Sequence, residues 1–174
     1  KDGPFLLVAN HVSYVDWLIL AGACKRPVSY VMYYKFFTVP IVKTLMKQAS
    51  VIPIESAKED MDIMNRAFER ISGALKEGSG VCIFPQGTLT KDGQLRPFRP
   101  GGLKILENDP IPVVPVVLHG LWGSIFSRID KKDRIRRRKL SIEFLPSLDP
   151  SGLTTEKLED LIAAELNEEA PHKR

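Results

Sequence analysis

The sequence predicts an α/β fold: a largely parallel sheet flanked by helices on both faces. Three observations carry this. Six short apolar runs alternate with segments of helical periodicity along 174 residues. The runs are apolar or β-branched on both faces, as strands covered on two sides require. The length suits one domain with enough residues to bury a core between such layers.

Strands are expected at residues 5–9, 28–32, 51–54, 81–84, 113–118 and 139–144. Helices are expected at 16–23, 40–47, 58–77, 101–108 and 154–169. The segment 58–77 has the clearest pattern, because Met61, Met64, Phe68, Ile71 and Leu75 recur at spacings of three and four. Its Met and Phe stripe reads as core rather than as a cofactor box, and Gly78 follows as a helix stop. In the last helix Leu158, Leu161, Ile162 and Leu166 share one face, opposite an acidic, solvated one. No repeat or low-complexity linker interrupts the pattern. The chain starts Lys1-Asp2-Gly3-Pro4, neither a signal peptide nor a native Met start. Residues 1–174 are therefore expected to be a single domain cut from a longer, membrane-associated polypeptide. No apolar stretch reaches the ~18 residues of a membrane span.

Hydrophobic residues at 44% and charged residues at 26% exclude a disordered chain. Lys and Arg number 25 against 21 Asp and Glu, a net charge of +4. The surplus is local. Residues 128–139 hold eight cations and two acids, so this stretch carries +6 and the remainder −2. The chain is a near-neutral body with one cationic patch. Two cysteines, Cys24 and Cys82, exclude a disulfide scaffold and suit a reducing compartment.

The motifs narrow the chemistry. G-x-S-x-G, the phosphate loop and G-x-G-x-x-G are all absent from the sequence. The histidines, His11, His119 and His172, have no partner at metal-ligand spacing. No metal or cofactor is expected. What remains is Asn10-His11-Val12-Ser13-Tyr14-Val15-Asp16, at the end of the first strand and the start of a helix. Strand carboxyl ends are where parallel sheets build sites. A His and an Asp five residues on, across a turn, can meet. The carboxylate would fix the tautomer and leave the other ring nitrogen free to take a proton. Histidine, with an ordinary pKa of about 6.5, suits a general base near neutrality. Alone, the pattern equally describes a histidine beside a helix start.

A second cluster, Phe84-Pro85-Gln86-Gly87-Thr88, closes the fourth expected strand and so belongs on the same sheet edge. It is also ordinary turn chemistry. A third, Phe98-Arg99-Pro100-Gly101-Gly102, precedes a helix. Paired glycines there let backbone amides approach an anion, with Arg99 and Lys104 adding charge.

Together, in this order, the clusters resemble the glycerolipid acyltransferase family of lysophosphatidate-type enzymes, from about residue 5 to 144. Asn10, His11 and Asp16 match N-H-x4-D; residues 84–90, then Asp92-Gly93 and Phe98-Arg99-Pro100-Gly101, match F-P-E-G-T-R-S, D-G and F-K-x-G; Val114-Pro115-Val116 matches V-P-V. Residues 120–128 further look like the lysophospholipid acyltransferase domain of bacterial acyltransferase/acyl-acyl-carrier-protein synthetase fusions. The resemblance implies an enzyme that acylates the free hydroxyl of a lysophospholipid from acyl-acyl carrier protein or acyl-CoA. His11 would be the base, oriented by Asp16. Gly87 and Thr88 would help place the glycerol-phosphate part. It further implies a place on the cytoplasmic face of a membrane, peripheral or anchored through other parts of the polypeptide.

Two departures bear on the substrate. Gln86 stands where the family has Glu, which motivates an alternative: a weakened module that binds lipid without turnover. The family's arginines are missing, with Leu89 after the third motif and Glu55 or Ser56 near the second-motif position. A phosphate monoester carries close to two charges and suits bidentate arginines; a diester carries one. An esterified head group is therefore expected, with 1-acylglycerol 3-phosphate as the alternative acceptor. Lys35, Arg96 and Arg99 are candidate replacement cations.

Five aromatics, Tyr30, Tyr33, Tyr34, Phe36 and Phe37, lie within eight residues around Lys35. They fit core packing, an interfacial segment or an acyl-chain tunnel. The patch with Arg134, Arg136, Arg137, Arg138 and Lys139 fits a solvated loop, an anionic membrane contact or the docking of a carrier protein or CoA. No nucleic-acid-binding module accompanies it.

Overall fold

The structure is a computed structural model and describes residues 3–34, 50–55, 60–128 and 139–168. Its strands are β1 (Phe5–Ala9), β2 (Val28–Tyr33), β3 (Val51–Ile54), β4 (Gly80–Ile83), β5 (Val113–His119) and β6 (Ser141–Phe144). The helices are α1 (Asp16–Ala23), α2 (Met61–Lys76), α3 (Ile105–Asn108) and α4 (Thr155–Glu168). All six expected strands form. The expected helix at 40–47 lies outside the described residues.

One expected helix is different. Residues 101–108 split into a 3-10 turn (Pro100–Leu103) followed by the single turn of α3. Pro100 and two glycines are poor α-formers, so the first turn winds tightly, with Gly102 N–H donating to Arg99 C=O at 2.9 Å.

The strands form one six-stranded sheet in the order β3-β2-β4-β1-β5-β6. Every pairing is parallel except β5 with β6. Alternate β1 residues explain its continuous apolar run. Leu6 and Val8 pack with Ile71, Leu75, Leu158 and Ile162, so α2 and α4 cover one face. Leu7 and Ala9 pack with Trp17, Leu20 and Tyr30, so α1 covers the other.

In α2 the buried positions are Ala67, Ile71 and Leu75. Met61, expected in the core, is 52% exposed in the first turn. Leu161 of α4 is likewise 37% exposed, at the edge of the stripe formed by Leu158 and Ile162. Asp60 begins α2 by accepting from Ile63 N–H at 3.0 Å. At the other end Gly78 takes φ 80°, a left-handed conformation a side chain disfavours, and its N–H reaches Leu75 C=O at 2.9 Å. Asp60→Ala removes one cap acceptor and should cost about 1 kcal/mol of stability, read from a denaturant midpoint, while Asp60→Ser should restore most of it.

The strand order positions the chemistry. The chain leaves β1, builds β2 and β3 outward, and returns with β4 between β1 and β2. Val8 pairs with Ile83 in parallel register, so the loops after β1 and β4 leave the sheet side by side. On the other side of β1, Ala9 pairs with Val116 of β5.

Candidate active site

His11 and Asp16 meet as the sequence predicts. His11 Nδ1 lies 2.8 Å from Asp16 Oδ2. A carboxylate offers no proton, so Nδ1 is the donor and Nε2 is left with its lone pair. The imidazole is 21% exposed while the carboxylate is fully buried. Asp16 also accepts from Val12 N–H at 2.7 Å, from Ser13 N–H at 3.0 Å and from the Ser13 hydroxyl. Four donors thus compensate a charge that would be costly in the interior. Asp16 is the first residue of α1, whose N-terminal N–H groups favour a carboxylate.

The His11 backbone is held from two sides. Its N–H donates to Gln86 Oε1 at 2.6 Å, and its C=O accepts from Thr90 N–H at 3.3 Å. Phe84 stacks on the imidazole with ring centroids 4.5 Å apart. Asn10, fully buried, forms a pair of bonds across β5, accepting from Leu118 N–H at 2.7 Å and donating to Leu118 C=O at 3.1 Å. The roles of Ser13 and Phe84 are not evident from sequence. Ser13 lies between the two motif residues, and that position is the only signal for it.

Gln86 joins this pair to a second feature. It lines a shallow, open depression together with Thr88, Asp92, Arg96 and Arg99. Gly87 turns there with φ 65°, and a Cβ at this position would lie 2.5 Å from Arg99 Nε. The left-handed backbone favours glycine here, and the exposed Arg99 side chain lies against it. Of the predicted substrate residues, Gln86, Gly87, Thr88, Arg96 and Arg99 therefore gather at one place. Gly101 does not line the depression, because it belongs to the 3-10 turn beyond. Asp92 is the acidic member of the lining. The Thr90 hydroxyl and the Gln94 N–H hold its carboxyl below the usual range and occupy its oxygen Oδ1 at 2.8 and 3.1 Å.

Leu89, in place of the family arginine, is 5% exposed and belongs to the interior. Glu55 is also buried. Burial pushes the Cys82 thiol well up, which keeps it an unreactive core group. His119 closes β5 with Nε2 buried. Lys35, Arg134, Arg136, Arg137 and Arg138 lie outside the described residues, and Lys139 is exposed. Among the described residues, no helix is long and apolar enough to cross a membrane.

This arrangement has relatives. The family model described as Acyltransferase matches residues 1–119, which include both the His11–Asp16 pair and the Gln86 turn. The chain belongs to the acyltransferase family. It is 31% identical over 122 residues to the chloroplastic 1-acyl-sn-glycerol-3-phosphate acyltransferase BAT2 of Brassica napus, covering 69% of this chain and 34% of that protein. It is 28% identical over 154 residues to the probable 1-acyl-sn-glycerol-3-phosphate acyltransferase of Mycoplasma pneumoniae, covering 83% and 57%. This acyltransferase-family chain thus spans between about a third and somewhat over half of these curated relatives. Its fold is that of the 1-acyl-sn-glycerophosphate acyltransferase PlsC from Thermotoga maritima, at a TM-score of 0.80 and 21% identity over the whole of this chain and 69% of that one.

Proposed function

We propose that the chain transfers a fatty acyl group from an acyl thioester, on CoA or acyl carrier protein, to the free hydroxyl of 1-acylglycerol 3-phosphate. One observation carries the reading: the His11–Asp16 pair is bonded through Gln86 to a depression that holds Arg96 and Arg99. His11 Nε2 takes the acceptor's hydroxyl proton as the oxygen attacks the thioester carbonyl. The C–S bond then breaks, and the imidazolium returns the proton to the thiolate. Asp16 stabilises the imidazolium. No acyl-enzyme forms, in keeping with the absence of G-x-S-x-G from the sequence.

The names of the relatives favour the monoester acceptor over the esterified head group expected from the missing arginines. The depression adds a physical reason to prefer the monoester. Leu89 is an interior residue, while Arg96 and Arg99 bring two guanidinium groups to the acceptor side from a later loop. A second reading, an esterified head group, keeps one supporting observation, since buried Glu55 supplies no cation at the second-motif position.

Labelled palmitate offered on CoA and on carrier protein, with 1-acylglycerol 3-phosphate, glycerol 3-phosphate and lysophosphatidylethanolamine, tests the proposal. The first acceptor should show the highest kcat/KM. Arg99→Ala should raise its KM by about tenfold or more, the range for a lost charge-assisted hydrogen bond, with kcat less affected. A preference for lysophosphatidylethanolamine would establish the second reading, and no acylation of any acceptor would refute both.

A further inference from the structure

The segment that carries Arg96 and Arg99 to the depression has no regular secondary structure. No strand ladder or helix satisfies its backbone, so side chains must hold it. Phe98 belongs to the core cluster that contains Leu158 and Ile162 of α4, and Leu95 packs against that cluster, while Arg96 and Arg99 stay exposed. The Phe98 N–H donates to Glu159 Oε2 at 2.7 Å. The next N–H, that of Arg99, donates to Pro85 C=O at 2.9 Å. The arginine segment is thus pinned between α4 on one side and the turn holding Gln86 on the other. Glu159 follows Leu158 of the apolar stripe and departs from the solvated acidic face expected of this helix. Glu156 and Asp160 are exposed, whereas Glu159 is partly buried and bonded to Phe98. It also lies beyond residues 1–119, the stretch that the family model matches.

We propose that Glu159 is a positioning residue for the site: through the Phe98 N–H it fixes where Arg96 and Arg99 stand. The inference rests on the reading of these arginines as ligands of the acceptor's phosphate and extends it to α4. A carboxylate that accepts from a backbone amide makes a charge-assisted bond, stronger than a neutral one. Without it the buried Phe98 N–H would lack an acceptor and could regain one only by moving toward water. Such a shift carries both arginines with it, because Arg99 is the next residue and Arg96 is close before. The segment keeps its charge wherever it lies, but contact of two guanidinium groups with one phosphate depends on their places. Among the described residues, α4 contributes nothing to the lining of the depression, so Glu159 acts on phosphate selectivity without touching the ligand.

The test is a mutant cycle on binding in a His11→Ala background, where no transfer consumes the ligand. The probes are 1-acylglycerol 3-phosphate and the matching monoacylglycerol, both in detergent micelles. The readout is phosphate selectivity, the dissociation constant of the second divided by that of the first. Glu159→Ala should lower it by about fivefold or more. Glu159→Gln keeps an acceptor oxygen and should hold it within about twofold of the parent. Added to Arg96→Ala/Arg99→Ala, Glu159→Ala should change it by less than about twofold, because the groups it positions are already gone. A residue that only supports the fold would lower the melting temperature and weaken both ligands alike. Unchanged selectivity in Glu159→Ala would therefore overturn the proposal, as would an undiminished effect in the background without the arginines or a parent that binds both ligands equally. Should Glu159→Ala fail to fold, Glu159→Met keeps the side-chain length without the carboxylate and is held to the same criterion. The two readings fail separately. Transfer to no acceptor, with selectivity that falls in Glu159→Ala and returns in Glu159→Gln, refutes the proposed function alone. Transfer to 1-acylglycerol 3-phosphate, with selectivity indifferent to Glu159, refutes this inference alone.

Discussion

His11→Ala should lower the rate of acyl transfer by about 10²–10⁴-fold, the range supplied by a positioned general base. The fold should survive. The imidazole is partly exposed, and its removal leaves Asp16 with three donors, Val12 N–H, Ser13 N–H and the Ser13 hydroxyl. The buried carboxylate therefore keeps most of its compensation. Initial rates at saturating acceptor, paired with a thermal melt, check both halves. A variant that retains more than a tenth of the rate would remove His11 from the mechanism.

Asp16→Asn should cost activity on a similar scale and little stability. Asp16 Oδ2 accepts from His11, Val12 and Ser13, while Oδ1 accepts from the Ser13 hydroxyl. Asparagine can keep its one oxygen at the first position and turn its NH2 toward the Ser13 hydroxyl, which can accept. The loop then closes, but the charge that supports the imidazolium is gone. Asp16→Ala is different, because it leaves several buried donors without an acceptor and should destabilise by about 3 kcal/mol or more. The contrast between the two variants, read in kcat and in a denaturant midpoint, separates the electrostatic role from the structural one. If Asn loses as much stability as Ala, the carboxylate is there chiefly to hold the loop.

The site was legible to an unequal degree. The pairing of His11 with Asp16 follows from local spacing, since five residues across a strand-to-helix turn bring the side chains together. The Gln86 turn could be placed on the same sheet edge because parallel strands present their carboxyl ends together. Arg99 was legible only as one of three candidate replacement cations, beside Lys35 and Arg96. Motif position puts Leu89 where the family has an arginine. In the folded chain Leu89 is an interior side chain, and Arg99 reaches Gly87 from a loop that begins after the next turn. Charge at a site depends on which side chains converge, not on which positions are adjacent in sequence. Met61 and Leu161 misled for a related reason. Helical periodicity marks an apolar stripe, but the extent of the sheet beneath decides which of its members are covered.

By itself the sequence determined the α/β architecture, all six strands, the His11–Asp16 pair and the resemblance to acyltransferases. These depend on periodicity, turn residues and short spacings, which act locally along the chain. Only the tertiary structure decided how the loops join. Strand β4 inserts between β1 and β2 and so delivers Gln86 Oε1 to the His11 N–H, across 75 residues of sequence. The Asn10 pair with Leu118 spans 108. The Gln86 Nε2, buried with no hydrogen-bond partner among the described residues, belongs to the same class of fact. Whether a polar group is satisfied is a property of everything that surrounds it, and that is set by packing.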